Sequence, residues 1–239
     1  MKQNFSKSDS QSPHFGWTFS STNKPPQQIF ETIYAFPPNR DTLGGTAYYI
    51  VEKGSGILLD CPLWSEENYH FLLAQGGVRW LLLSHRGGMA KVKHIQEAMQ
   101  CEVVLQEQEA YLLPDIETTP FAQEINLTEN IQGIWTPGHS PGSSCFYHRA
   151  HGGVLFTGRH LLPNQQGNPT PLRTAKTFHW FRQLRSVGWL RDRFTPQSLQ
   201  YICPGANTGF LRGRGKIERA YERLIELDLE ALREVSSPF

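Results

Sequence analysis

Five apolar runs in this 239-residue chain stop abruptly at short polar, charged or glycine-bearing steps, and those steps hold the side chains able to do chemistry. They are Asp60, Ser84-His85-Arg86, Gly138-His139, Gly158-Arg159-His160 and Gly205-Ala206-Asn207. An imidazole can ligate a metal, move a proton or complete a hydrogen-bond network. A guanidinium can grip a carboxylate or phosphate through two parallel hydrogen bonds. A buried carboxylate needs a partner, because an unpaired buried charge is very unfavourable. Ser84, Ser140, Ser143 and Ser144 stand near histidines, yet no Gly-x-Ser-x-Gly elbow surrounds any of them, so a serine nucleophile is not indicated.

The elements that must position these residues are strands interleaved with helices. Strands are expected over 29–36, 46–51, 56–60, 79–84, 103–106, 131–135, 144–147, 153–157 and 199–203. Ser65 with Glu66 and Glu67 behind it starts a helix to about residue 75, and further helices are expected over 90–100, 108–113, 174–193 and 216–235. Residues 115–124 and 162–172 read as loops. Ligands of open α/β sheets gather at strand ends, so five converging ends would make one pocket along one edge.

Bulk properties narrow the classes. A net charge of +1 with 19% charged residues implies no polyelectrolyte behaviour. Mean hydropathy is −0.44, and no apolar run approaches a membrane span. Residues 1–28 are rich in Ser, Gln, Asn and Pro, lack the apolar centre of a signal peptide, and read as a flexible arm before a single domain over 29–239. Cys61, Cys101, Cys145 and Cys203 are far apart with no C-x-x-C pair. This is a pattern of reduced, core-packed thiols, and the expected location is cytoplasmic.

In order along the chain, these motifs resemble the metallo-β-lactamase superfamily. The 56–60 strand is similar to its first acidic motif, and Ser84-His85 to the start of its Thr-His-x-His-x-Asp-His run. Thr136-Pro137-Gly138-His139-Ser140-Pro141-Gly142-Ser143 is similar to its third metal motif. Leu155-Phe156-Thr157-Gly158 resembles the strand before its bridging aspartate, and the 201–205 segment the strand before its last histidine. The resemblance covers about 29–232 and implies an α/β (α+β) fold: a four-layer αββα sandwich of two mixed sheets.

The departures from that pattern bear on function. Where the resemblance places metal ligands, this chain has Gly87, Met89, Ala90, Arg159 and Ala206. Of the family's ligands only His85 and His139 remain, fewer even than in the branch with a Thr-His-Arg-Asp-Asp second motif. Two imidazoles beside an arginine make a poor zinc site, so no cofactor is expected. Arg159 is expected to replace the lost cation and pair with Asp60, and Arg86 and Arg159 to hold an anionic group. Asp60, His85, Arg86, His139, Arg159 and Asn207 are the candidate pocket. Arg212, Arg214 and Lys216, in a glycine-rich stretch, are a candidate loop for an anion or an acidic protein partner.

The favoured reading is a pseudo-enzyme acting as a binding, scaffolding or assembly protein. A second is a hydrolase of an ester, thioester or phosphoester in which zinc or iron is held by His85 and His139, with Asn207, His160 or Asp60 completing the site. A third, ranked last, is nucleic-acid binding through the basic, aromatic-rich region 173–219. Oligomeric state is not legible in the sequence.

Overall fold

Both faces of the central strands are buried, which is why the sequence there reads as continuous apolar runs rather than alternation. The computed structural model describes residues 24–52 and 54–236. In the first sheet, β1 (Gln27–Phe30), β2 (Ile33–Ala35), β3 (Tyr48–Glu52) and β4 (Ser55–Leu59) form an antiparallel meander. It continues in parallel through β5 (Trp80–Leu83), β6 (Glu102–Gln106) and β7 (Thr118–Phe121). The second sheet has the order β15-β14-β11-β10-β9-β8. Its strands are β8 (Glu124–Asn126), β9 (Ile131–Trp135), β10 (Ser144–His148), β11 (Val154–Gly158), β14 (Tyr201–Pro204) and β15 (Ile217–Glu218), with β11 and β14 parallel.

Alternate residues of each strand feed different cores. Ile57, Leu59, Leu82 and Val104 meet Phe146, Val154 and Phe156 between the sheets. Leu58, Leu81 and Val103 face the other way, onto α1 (Glu66–Ala74) and α2 (Val92–Met99) through Leu72 and Ile95. Ile134, Cys145 and Leu155 face α3 (Trp180–Arg193) and α4 (Ala220–Ile225) through Val187, Leu190 and Leu224. The layers are therefore helix, sheet, sheet, helix, and both sheets are mixed, as the resemblance implies.

Several expected elements differ. The 29–36 strand is a hairpin that turns at Glu31-Thr32. Residues 115–124 are not all loop: Thr118–Phe121 pairs with β6 at the sheet edge, where a Pro120 without an N–H is tolerated. Within 162–172, β12 (Leu162–Pro163) and β13 (Pro169–Thr170) pair as a small ribbon. The 174–193 helix begins only at Trp180, because Thr177 binds the Thr174 amide through its hydroxyl (2.8 Å) and His179 caps the Arg182 amide (3.2 Å). The 216–235 helix is broken. Residues 217–218 pair with β14, and Asp228 caps α5 (Leu229–Arg233) separately from α4. Of the expected arm, 1–23 lie outside the described residues, while Gln27 and Gln28 belong to β1.

At one end of the sandwich the two sheets are tied together directly. The Ser144 amide donates to the Ser84 carbonyl (2.8 Å), the Thr46 amide to the Gly205 carbonyl (2.8 Å), and the Tyr48 hydroxyl to the Pro204 carbonyl (2.8 Å). The ends of β4, β5, β9 and β11 meet at this edge. Among the described residues no helix is long and apolar enough to cross a membrane.

Candidate functional site

Asp60 follows β4 in the left-handed region (φ 56°), a conformation aspartate tolerates better than most side chains. Its carboxylate turns onto Ser84: Oδ1 accepts the Ser84 amide (2.8 Å) and Oδ2 the Ser84 hydroxyl (2.6 Å). Two glycines make room for this. A Cβ on Gly88 would lie 2.3 Å from Asp60 Oδ1, and one on Gly158 would lie 2.3 Å from Ser84 Oγ. Burial pushes the Asp60 pKa up to about 6, against the lowering effect of the two Ser84 bonds and the nearby Arg159 charge. Asp60 is thus ionised at neutral pH.

The network continues into His85, whose Nδ1 lies 2.8 Å from Ser84 Oγ. With the Ser84 proton given to Asp60, Oγ accepts from Nδ1–H, and this network assigns His85 the tautomer whose Nε2 carries a lone pair. Nε2 is buried, and among the described residues no donor reaches it. Burial, then His139, Arg159 and Arg86, drive the His85 pKa well below its usual value. His139 packs edge-on against His85 with ring centroids 5.3 Å apart, and burial and the same two arginines bring it down to about 4. Its loop is pinned to the start of α3, where the amides of Phe178 and His179 donate to the carbonyls of His139 (3.0 Å) and Gly138 (2.9 Å). His160 is fully buried, held neutral with a pKa lowered to about 3, and does not line the cavity described below.

Arg159 does not pair with Asp60, which corrects the sequence expectation. Among the described residues no ion pair joins them. The Arg159 Nη2 instead donates to the carbonyls of Thr42 (2.9 Å) and Leu43 (2.8 Å), closing the short 3-10 turn at 40–42. Asp60, already bonded twice by Ser84, feels Arg159 only through space. Arg86 donates from Nε to the buried Glu109 (2.9 Å) and remains half-exposed.

His85, Arg86, Gly87, His139 and Arg159 do come together, lining a cavity of about 160 Å³ with Leu43, Ser140, Pro141, Leu162, Leu172, Thr174, Lys176 and Phe178. Among the described residues its walls carry three cations and no carboxylate. Asp60 lies behind the wall, and Asn207 is exposed outside it, in the left-handed region at the start of the 208–211 turn. Sequence reasoning missed Lys176 and Phe178 as lining residues because it placed them inside a helix. The Thr174–Thr177 pair was the available signal that the helix starts later.

Arg212, Arg214 and Lys216 border a different cleft, with Arg223. Lys216 is held there by the Ile29 carbonyl (2.9 Å) and lies over the Phe30 ring (4.0 Å). Much of the basic region 173–219 is likewise engaged within the fold. Arg193 grips Glu124 with two bonds (2.7 and 3.0 Å), and Arg191 donates to the carbonyls of Leu224 and Leu227.

The fold is known for metal centres, so the donor set can be tested against one. Among the described residues no three or more His, Cys, Asp or Glu side chains are grouped to hold a metal ion. Two imidazoles face a guanidinium, and the Asp60 oxygens are taken by Ser84. Zinc and iron sites need about three N, O or S donors from the protein, and these residues do not fit one.

The architecture and the motif order together define a chain with the metallo-β-lactamase fold. It is similar to TTHA1429, a metallo-β-lactamase family protein of Thermus thermophilus, at 18% identity and a TM-score of 0.60, covering 86% of this chain and 81% of that one. TTHA1623, known in a di-iron-bound form, is 19% identical with a TM-score of 0.60, covering 75% of this chain and 92% of that one. A quorum-quenching N-acyl homoserine lactone hydrolase is 15% identical with a TM-score of 0.54, covering 73% and 91% respectively. No protein-family model matches the sequence, and no curated protein matches it significantly.

Proposed function

We propose that this protein is a metallo-β-lactamase-fold pseudo-enzyme that binds an anionic ligand in the cavity between His85, His139 and Arg159. One observation carries the reading: among the described residues Arg86, Arg159 and Lys176 line that cavity and no carboxylate does, and of the three only Arg86 is ion-paired, to the buried Glu109. Cations of one sign along a low-dielectric cleft focus a field that draws in an anion. The Arg159 Nε is buried and, among the described residues, has no partner, so one donor of the guanidinium is unmatched. The ligand is a small molecule or an acidic group of a protein partner. Four free, buried cysteines suit a reducing compartment such as the cytoplasm.

The test pairs metal analysis with titration. Protein prepared without added metal is expected to contain no stoichiometric zinc or iron. It is expected to bind phenylacetate, and Arg159→Met to weaken that binding about tenfold, the scale of losing one charge-assisted hydrogen bond. The second reading, a metal-dependent hydrolase, draws on the lactone hydrolase and di-iron neighbours. Stoichiometric metal, lost together with hydrolytic activity in His139→Ala, would establish it and end the pseudo-enzyme reading.

A further inference from the structure

The cavity's three cations ask a ligand for a negative group, but the imidazole of His85 asks for something else. His85 Nε2 is an acceptor, because Asp60 and Ser84 fix the proton on Nδ1. It is buried, and among the described residues no donor reaches it. The wall next to it is glycine: a Cβ on Gly87 would sit 2.9 Å from Nε2. The position where the family pattern has a second histidine therefore puts no side chain on Nε2, which stays buried and, among the described residues, unpartnered. A simple carboxylate cannot satisfy this atom, since an ionised carboxylate offers only acceptors. It would leave Nε2 desolvated and unpaired, which is unfavourable.

We propose that the ligand of this cavity is a hydroxy-carboxylate with a small apolar body: its hydroxyl donates to His85 Nε2, and its carboxylate is taken by the arginines. This rests on the anion-binding reading above and adds the donor that reading does not require. Leu43, Leu162, Leu172 and Phe178 supply the apolar wall. A volume of about 160 Å³ is comparable with that of an engineered cavity that admits benzene, so a ring-sized body fits. No bond is made or broken, and the site is one of recognition.

Calorimetric titration with matched pairs of acids tests this: mandelate against phenylacetate, and 3-hydroxyoctanoate against octanoate. At least one hydroxy acid is expected to bind about tenfold or more tightly than its partner, because a site built to bond a hydroxyl penalises the analogue without it. In Gly87→Ala the new methyl stands against Nε2, and the ratio of hydroxy-acid to plain-acid affinity is expected to fall to about one. The wild-type protein gives a second readout, the His85 Nε2 nitrogen resonance, which is expected to move with mandelate and not with phenylacetate. Equal binding within both pairs, an advantage that survives Gly87→Ala, or an unmoved resonance on saturation with either hydroxy acid overturns the inference and leaves anion binding standing. Failure of all four acids to bind overturns the anion-binding reading as well.

Discussion

Ser84 holds the chemistry of the site in one orientation. Its amide and hydroxyl satisfy both oxygens of Asp60, and the same hydroxyl oxygen fixes the tautomer of His85. Ser84→Ala removes a donor from one buried group and an acceptor from another. The expected loss of stability is about 2–3 kcal/mol, more than the ~1 kcal/mol of an ordinary hydrogen bond, because two buried polar atoms are left unmatched. Chemical denaturation of the two proteins measures it. A loss below ~0.5 kcal/mol would show that solvent reaches Asp60 and His85 and that the relay is not closed. The sequence displayed Asp60, Ser84 and His85 as strand-end residues and put Asp60, His85, Arg86, His139, Arg159 and Asn207 in one pocket, of which Asp60 and Asn207 do not line the cavity. It could not display their bonding. Whether Asp60 turns to Arg159 or to Ser84 depends on the left-handed backbone at Asp60 and on carbonyls that Thr42 and Leu43 offer from far away in the chain.

At the scale of elements, the site depends on how closely the ends of β5 and β11 approach. Gly158 stands at this approach: it has φ +50° and leaves no room for a Cβ beside Ser84 Oγ. Gly158→Ala is expected to destabilise the protein by about 2–4 kcal/mol through combined clash and backbone strain. Gly209→Ala is the control, since nothing lies within 4 Å of its Cβ position, and a change within about 0.5 kcal/mol is expected. Thermal melting of both variants checks the contrast, and equal shifts would refute the packing account. The buried strands β4, β5, β9, β10 and β11 were legible because two-sided burial writes an apolar run and a polar step ends it. The elements that were not legible are those governed by weaker rules. β7 is an edge strand of Thr, Thr, Pro and Phe, and pairing with β6 overrides its poor composition. The start of α3 and the break between α4 and α5 are set by side-chain bonds from Thr177, His179 and Asp228 that interrupt an otherwise helical pattern.

For the whole molecule, the consequence is a defined response to acid. Three buried histidines, His85, His148 and His160, and the half-buried His139 have pKa values lowered from 6.5, chiefly by burial, with His139 at about 4 and His160 at about 3. Unfolding returns each to its ordinary value, so between about pH 6.5 and 4 the unfolded chain binds more protons than the folded one. Stability contributed by these groups is therefore complete above pH 6.5 and falls as the pH drops. Asp60 has the opposite sign. Its pKa is raised from 3.8 to about 6, so over that interval the folded state holds the extra proton and gains relative stability as the pH falls. One acid opposes four bases, and the histidines prevail. Each net proton taken up on unfolding removes about 1.4 kcal/mol per pH unit. With typical domain stabilities of about 5–15 kcal/mol, melting temperature is expected to fall steeply between pH 6.5 and 4.5 and to change little between pH 7 and 8. Replacing His160, which lies off the cavity wall, by glutamine is expected to make that fall shallower by close to one proton's worth without changing ligand affinity at pH 7.5. A melting temperature flat from pH 7 to 4.5 would mean that these imidazoles are charged or solvated in the folded protein. In that case the neutral, acceptor-bearing His85 at the centre of the site would have to be given up with them.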